Sequence, residues 1–455
     1  MGEAVVRPIS VLARDLAEGK TTSRKLIEAA LARIADAGGE GGRAFIKVHA
    51  QAALRAAEAS DRMRKDGIVP SPLAGLPVSI KDLFDIAGEV TTAGSRILRD
   101  AVPAAADAVA VARLRSAGAV IIGRSNMTEF AFSGVGINPH YGTPANPYDR
   151  GARRIPGGSS SGAAVSVADG MAAFALGTDT GGSARIPAAL CGIAGFKPTQ
   201  ARISCEGAFP LSTTLDSVGP LAPTVACCAT VFQVLAGERP RALTPPEFSG
   251  LRLGVPRNLM LEDLDAEVAR TFEAALQRFS RRGAKILEIE VPEFDEVAKA
   301  NARGGISPPE AYAVHRAWID REREFDPRVR ERILQGASVL AADYIDLLQN
   351  RARLMRSFTR MRYDIDVLVM PTVPRVAPPI EELERDAETY RRVNRLMLRN
   401  TNPINFLDGC ALTLPVHAPG DAPVGLMVAG FSGEDELVLS AGLALEGTVR
   451  DSTAV

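Results

Sequence analysis

The chain has 455 residues, of which 46% are hydrophobic and 24% are charged, with a formal net charge of −1. This ordinary globular composition excludes global disorder, and the balanced charge provides no basic surface for a phosphate backbone, so direct nucleic-acid binding is not expected. No run of about 18 apolar residues occurs, so no membrane span is expected.

The N-terminal part of the chain is predicted to be a helical layer. Periodic apolar residues indicate helices over 8–18, 24–37 and 51–65, and Thr22 and Ser23 suit the N-terminus of the second. Beyond this layer, short buried strands alternate with helices. Strands are predicted at 76–80, 119–122, 171–176, 251–255, 284–289, 366–370, 411–416 and 425–428. Further helices are predicted at 107–117, 161–169, 265–281, 309–323, 328–336, 340–361 and 386–399.

The alternation predicts an α/β fold in one compact domain, with a large mixed central sheet flanked by helices on both faces. The segment 140–162 is dense in Pro, Gly, Asn and Ser and is predicted to be loop. No repeat or linker divides the chain. We therefore expect a single domain, 1–455, composed of the helical layer (1–69), a core (70–225) and a C-terminal part that completes the sheet and the substrate pocket (226–455).

Three short segments carry the residue types of a hydrolytic site. They are 79–82 (SIKD), 157–162 (GGSSSG) and 179–185 (DTGGSAR). One helix and one strand join the second segment to the third, and a helix of about ten residues and a strand of about six cover similar distances. Both Ser-Gly loops can therefore meet at one edge of the sheet, which the strand before Lys81 can also reach. Loops at such an edge are the usual place for an active site.

The third segment places two glycines directly before a serine. Unhindered backbone N–H groups of Thr180, Gly181 and Gly182 can closely approach a developing negative charge, as an oxyanion hole requires. Asp179 and Arg185 bracket this turn, and we expect them to hold it through an ion pair or backbone hydrogen bonds.

In order and spacing, these segments resemble the amidase signature family, over about residues 70–225 and more weakly to the end of the chain. The matching runs are 75–82 (GLPVSIKD), 157–162, 177–189 (GTDTGGSARIPAA) and 195–199 (GFKPT). The resemblance implies the family's α/β fold and hydrolysis of a linear amide through an acyl-enzyme, without a cofactor. Ala201 departs from the pattern, because members often have Gly there.

The resemblance also implies roles. Ser183 resembles the nucleophile, Ser159 the bridging serine held by a cis peptide bond after Gly158, and Lys81 the general base. The oxyanion-hole residues of the resemblance are Thr180, Gly181, Gly182 and Ser183, and the supporting residues are Ser160, Asp179 and Arg185.

A lysine that acts as a base must be largely uncharged near pH 7.5. Its ordinary pKa is about 10.4, so the pKa must fall by about three units, which full burial can supply. We therefore expect Lys81 to be buried among hydroxyl and carbonyl partners, without a direct pair to Asp82.

Other interpretations of the Gly-Ser loop explain less. The segment 158–162 also fits G-x-S-x-G, a nucleophile elbow, which would make Ser160 the nucleophile and require a downstream base such as His417. That interpretation leaves Lys81 and Ser183 without a role. A phosphate-binding loop would need a following Lys-Ser or Lys-Thr, and the four histidines form no metal motif, so neither a nucleotide nor a metal is expected.

No motif identifies the acyl group of the substrate. Pocket walls are expected from loops near 125–140, 205–215, 305–345 and 400–410. Met127 is a candidate substrate-binding residue in an apolar wall. Arg332 resembles a substrate-carboxylate arginine of glutamine-using family members, although a solvated salt bridge is the simpler interpretation. The basic stretch 391–399 is interpreted as an exposed helix face.

Two functional hypotheses stay open. One is a free-standing amidase for a small amide, alone or as a homodimer. The other is the glutaminase (A) subunit of a glutamyl/aspartyl-tRNA amidotransferase or similar complex, with partner subunits. Five cysteines without a C-x-x-C motif, and a first segment without the layout of a signal peptide, predict a cytoplasmic protein.

Overall fold

The computed structural model describes residues 6–302, 304–360 and 364–451. Residues 1–5 and Met361, on which the signal-peptide and 340–361 helix expectations partly rest, lie outside these ranges. Among the described residues, no helix is long and apolar enough to cross a membrane.

One mixed sheet forms the centre of the fold. Its strands are β1 Phe45–Val48, β2 Pro77–Lys81, β3 Val120–Ser125, β4 Phe174–Thr178, β5 Ala194–Lys197, β6 Val218–Ala222, β7 Arg252–Pro256, β8 Lys285–Ile289, β9 Val367–Pro371, β10 Cys410–Pro415 and β11 Gly425–Gly430. They lie in the order β1-β3-β2-β4-β6-β5-β10-β11-β9-β7-β8. Parallel groups, β3-β2-β4 and β9-β7-β8, flank antiparallel pairs in the middle.

Helices surround this sheet. In the described part of the chain they are α1 Ile9–Ala17, α2 Ser23–Ala35, α3 Gly41–Ala44, α4 Ala50–Lys65, α5 Val109–Ser116, α6 Ser161–Ala168, α7 Arg185–Leu190, α8 Val225–Ala236, α9 Ala266–Arg281, α10 Pro292–Asn301, α11 Ser307–His315, α12 Pro327–Gln335, α13 Ala341–Arg360, α14 Ile380–Arg385, α15 Ala387–Arg399, α16 Asn402–Phe406 and α17 Asp435–Asp451. The predicted α/β fold, a large mixed sheet flanked by helices in one compact domain, is confirmed.

The sheet is buried on both faces. Successive strand side chains point to opposite faces, and in β3 they enter different apolar clusters. Ile121 packs in one cluster with Val78 of β2, whereas Val120 and Ile122 pack in another with Ile27 of α2. Strands covered on both faces have the continuous apolar sequences from which they were predicted.

Several predicted boundaries are wrong by a few residues. The strand predicted at 171–176 lies at Phe174–Thr178, and the helix predicted at 309–323 ends at His315. Thr22, rather than Ser23, is the N-cap of α2, and its hydroxyl accepts the N–H of Lys25 at 3.1 Å.

The central strands β5 and β6 were not predicted, because β6 contains Gly219 and Pro220, residues that ordinarily mark a turn. Their role here is close approach. A Cβ on Gly219 would lie 2.1 Å from the carbonyl oxygen of Phe196 in β5. Tertiary packing therefore overrides local preference in this pair.

The parallel pair of β2 and β4 positions the candidate site. Val78 is paired with Phe174 and Ile80 with Leu176, so both strands end at the same edge of the sheet. Lys81 ends β2 and Thr178 ends β4.

Candidate active site

Lys81 occupies a dry position at the end of β2. Its side chain is 0% exposed. Nζ donates to Ser159 Oγ at 2.8 Å and to Thr178 Oγ1 at 2.7 Å. The expected burial and hydroxyl partners are present, whereas no carbonyl oxygen among the described residues accepts from this amine.

Burial controls the charge of this amine. It lowers the pKa of Lys81 from 10.5 to about 7, against the opposing charges of Asp216 and Asp179. The neighbouring Asp82 does not pair with it, because its Oδ1 lies 2.6 Å from Nε of the buried Arg124. A substantial fraction of Lys81 is therefore uncharged near neutral pH.

Ser159 joins the lysine to the second Ser-Gly loop. The Gly158–Ser159 peptide bond is cis, as the resemblance implies. Ser160, the next residue, donates its N–H to the carbonyl of Ser183 at 3.2 Å. The two loops are thus in direct contact at the predicted edge of the sheet.

Ser160 itself faces away from this contact. Its hydroxyl donates to the carbonyl of Thr178 at 3.3 Å, which ties the loop to β4. His417, the base that a nucleophile elbow would need, accepts the N–H of Val424 through Nδ1. Within the described residues it makes no hydrogen bond to Ser160, so the elbow interpretation has no geometric support.

Ser183 follows the glycine turn and is 3% exposed. Its hydroxyl donates to no acceptor among the residues that the structure describes. The hydrogen bond to Ser159 that the proton relay requires is therefore not formed in this state. Catalytic hydrogen bonds are commonly long in a free enzyme and tighten when the substrate binds.

The turn before Ser183 offers backbone donors. The N–H groups of residues 180–183 bind no acceptor within the described ranges. Gly182 has φ = +135°, and a Cβ there would lie 2.2 Å from Thr401 Oγ1, so only glycine fits. Thr401 also donates to the carbonyl of Gly181 at 2.5 Å, which orients that peptide.

A buried ion pair supports the turn. Asp179 and Arg185 are both 0% exposed, and they bond through Nε–Oδ2 at 3.0 Å and Nη2–Oδ1 at 2.9 Å. Asn405 donates to Asp179 Oδ1 at 2.8 Å. Although burial alone would raise the pKa of Asp179, Arg185 and Asn405 hold it well below its usual range. This ion pair is the structural role expected for both residues.

Four residues of this neighbourhood were not predicted: Thr178, Asp216, Thr401 and Asn405. Thr178 lies within a matching run and could have been found as a hydroxyl at a strand end. The other three are far away in sequence and belong to no motif. Asp216 accepts the hydroxyl of Thr180 at 2.5 Å, and burial raises its pKa to about 6.

An apolar cavity of about 480 Å³ borders one side of the site. Its walls include Leu83, Ala131, Ala201, Ala208 and Phe209, together with Thr178, Thr180 and Asp216. Ala201, the departure from the family pattern, thus contributes to this wall. Met127 is fully buried and lines neither this cavity nor the one described next, so its predicted place in a pocket wall is wrong for both.

A second cavity, of about 720 Å³, is named here the arginine cavity, for Arg328, Arg332, Arg391, Arg395 and Arg399 in its lining. Arg332 donates through Nη1 to the carbonyl of Phe132 at 2.6 Å, and its guanidinium carbon lies 4.1 Å from that ring centroid. No carboxylate of the described residues lies within 4 Å of it. The salt bridge that we considered the simpler interpretation of Arg332 is therefore wrong.

Comparisons with known proteins agree with this geometry. The Amidase family model matches residues 25–439. The 2-amino-5-chloromuconic acid deaminase of Comamonas testosteroni is 37% identical over 412 residues, 89% of this chain and 88% of the relative. The A subunit of the glutamyl-tRNA(Gln) amidotransferase of Chloroflexus aggregans is 36% identical over 95% of this chain and 94% of its own.

A solved amidase crystal structure superposes with a TM-score of 0.87 at 34% identity, covering 97% of this chain and 99% of that one. Both sequence and fold are thus shared over nearly the whole length. The chain belongs to the amidase family and is a hydrolase of carbon–nitrogen amide bonds.

Proposed function

We propose that the chain hydrolyses a linear carboxylic amide through an acyl-enzyme on Ser183, with Ser159 as proton bridge and Lys81 as general base. The observation that carries the proposal is the 2.8 Å hydrogen bond between the fully buried Lys81 Nζ and Ser159 Oγ. A buried lysine without a carboxylate partner is costly, and a role in catalysis accounts for it.

In the first half-reaction, neutral Lys81 takes a proton from Ser159, which takes one from Ser183. The Ser183 oxygen then attacks the amide carbonyl, and the resulting oxyanion binds the free N–H groups of residues 180–183. The C–N bond breaks as the relay returns the proton to the departing nitrogen. Ammonia or an amine leaves, and Ser183 holds the acyl group as an ester.

In the second half-reaction, the same relay activates a water molecule. Its oxygen attacks the ester, the proton passes back to Ser183, and the carboxylic acid leaves. The balance is one amide and one water converted to one acid and one ammonia or amine. No cofactor enters this scheme.

Thr180, Gly181 and Gly182 form the proposed oxyanion hole with Ser183. The support is the conformation of Gly182, which keeps side-chain atoms away from the turn, and the unoccupied N–H groups beside the nucleophile.

A panel of small aliphatic and aromatic amides, assayed for acid and ammonia, tests the proposal. Ser183→Ala is expected to lose at least about 10³-fold in turnover, and Lys81→Ala nearly as much. Ser160→Ala is the matched control and retains most activity, because its hydroxyl only ties the loop to β4. Turnover by Ser183→Ala at the wild-type rate would refute the assignment.

We propose a free-standing enzyme rather than a component of a complex. The similarity to the glutaminase-type component of a tRNA-dependent amidotransferase keeps the second possibility specific. Purification of the native protein at low salt separates them: one chain, or a homodimer, supports the free enzyme, and stoichiometric partner subunits support the complex. The cytoplasmic location stays a prediction, which rests on the five cysteines, all of which are free thiols.

A further inference from the structure

The arginine cavity adjoins the proposed oxyanion hole. Leu398 and Asn402 are part of its lining, and both lie beside the turn, since a Cβ on Gly181 would lie 3.4 Å from Leu398 Cδ2 and 3.8 Å from Asn402 Nδ2. The apolar cavity borders the same turn through Thr180. A carbonyl held at the turn therefore has one cavity on each side.

Helical spacing brings the cations of this cavity together. Arg328 and Arg332 are four residues apart on α12, and Arg391, Arg395 and Arg399 follow the same spacing on α15. Residues four apart share one face of a helix. Both helices thus present arginines to one space, where Glu331 is the single acidic residue in the described lining.

Three of these arginines have carboxylate partners. Arg328 bonds Asp326 at 2.9 and 3.0 Å, Arg391 bonds Glu331 at 3.1 Å, and Arg395 lies 3.6 Å from Glu388. Their charges are at least partly neutralised within the protein.

Arg332 and Arg399 differ from these three, because neither has a carboxylate within 4 Å among the described residues. Arg399 bonds only the side-chain oxygen of Asn400, at 3.0 Å, through Nε. Its Nη2 is buried and has no hydrogen-bond partner in the described part of the chain. Burial lowers the pKa of Arg399, and the more distant charges of Glu262 and Asp263 only partly oppose this.

A buried guanidinium N–H without an acceptor is unfavourable, and an external anion would satisfy it. We propose that the arginine cavity binds a carboxylate of the substrate, with Arg399 as a specificity-determining residue beside Arg332. The preferred substrates are therefore amides that carry an acidic group at the end of the molecule that enters this cavity. This inference rests on the proposed amidase function.

Guanidinium groups suit this role because they bind carboxylates through two parallel hydrogen bonds and remain charged when buried. The rest of such a substrate is apolar or planar, since the opposite cavity is lined mostly by Leu, Ala and Phe side chains. Charge on one side and apolar contact on the other would fix the direction in which the amide lies across Ser183.

Matched amide pairs test the inference. Succinamate, glutaramate and adipamate have a terminal carboxylate where butanamide, pentanamide and hexanamide have a methyl group. The wild-type enzyme is expected to prefer at least one acid over its neutral partner by about 10-fold or more in kcat/KM, as for a hydrogen bond to a charged group. Arg399→Gln is expected to lose most of that preference while changing hydrolysis of the neutral partner less than about threefold.

Arg395→Gln is the matched control, because Arg395 lines the same cavity on the same helix, is exposed and has Glu388 nearby. It should keep the preference. If Arg399→Gln does not fold, Arg399→Lys replaces it, and an intermediate preference is expected because the charge stays but the planar fork is lost.

Binding without turnover separates this inference from the amidase proposal. Succinate, glutarate or adipate at millimolar concentration should raise the Tm of Ser183→Ala, and should raise it less when Arg399→Gln is added. The inference is overturned if no diacid stabilises the protein and no acid amide is preferred, or if Arg399→Gln reduces acid and neutral substrates equally. Loss of all hydrolysis with diacid binding intact would overturn only the amidase proposal.

Discussion

Asp82 directly follows Lys81, yet its carboxylate lies against Arg124, with Oδ1 2.6 Å from Nε. Arg124 also donates to the carbonyls of Asp82 and Phe84, at 3.2 and 2.9 Å. The negative charge nearest in sequence to the proposed base is therefore bound elsewhere. Since an adjacent carboxylate would favour the protonated amine, this pair is a condition for a neutral lysine in the site.

The pH dependence of kcat/KM should show this neutral lysine. Burial lowers the pKa of Lys81 to about 7, and only the unprotonated amine can accept a proton. Activity is therefore expected to be low below pH 6 and to rise through about pH 7. Stopped or continuous amide assays between pH 5 and 9 measure the limb. A rising limb near pH 10 would mean that the base is an ordinary exposed amine.

Asp216→Asn is expected to move this limb to lower pH. The charge of Asp216 raises the pKa of Lys81, so removing it makes the protonated amine less favourable and the pKa falls further. The same pH profile provides the measurement. Glu267→Gln, a substitution on the distant helix α9, should leave the limb in place. A shift of the Asp216→Asn limb to higher pH would contradict the assignment of Lys81.

The stability of Lys81→Met relative to the wild type should depend on pH. Between the folded-state pKa of about 7 and the ordinary value of 10.5, the unfolded wild type binds more protons than the folded protein, so its stability rises with pH. The variant has no such amine. The wild type should gain about 1 kcal/mol per pH unit over the variant between pH 7 and 10.

Urea unfolding at several pH values measures this difference. Lys20→Met, which removes an exposed lysine, is the control and should give a difference that does not vary with pH. A flat difference for Lys81→Met as well would show that the buried amine has an ordinary pKa.

Arg185→Met should unfold more easily by about 3–5 kcal/mol, because it leaves the buried charge of Asp179 without its partner. Equilibrium denaturation with urea measures the loss. Arg391→Gln breaks an exposed pair with Glu331 and should change stability little. If both variants unfold alike, the Asp179–Arg185 pair does not hold the turn.

Local sequence patterns predicted much of this fold. Strands such as β2 and β9 are continuous apolar runs, and helices such as α2 and α15 have regular apolar spacing with a capping residue before them. β5, β6 and the short helix α7 could not be predicted in this way. Gly219 and Pro220 function in β6 through contacts with strands distant in sequence, which no local propensity describes.

The candidate site divides in a similar manner. Lys81, Ser159 and Ser183 lie in motifs, and the crossover of one helix and one strand predicts that the two serine loops meet. Thr401 and Asn405 lie more than 200 positions from the turn that they hold. Only the folded sheet brings them together. Arg399 was interpreted as part of an exposed face, because its sequence does not show that α15 borders a cavity.

The acylated residue can be determined directly by mass spectrometry of protein quenched with acid during amide turnover. Residues 155–185 form a single tryptic peptide containing Ser159, Ser160 and Ser183, so fragmentation must locate the acyl group. We predict an acyl mass on Ser183 that is absent from Ser183→Ala and removed by hydroxylamine as one hydroxamate. An acyl group on Ser160, or steady turnover by Ser183→Ala, would contradict the proposed mechanism.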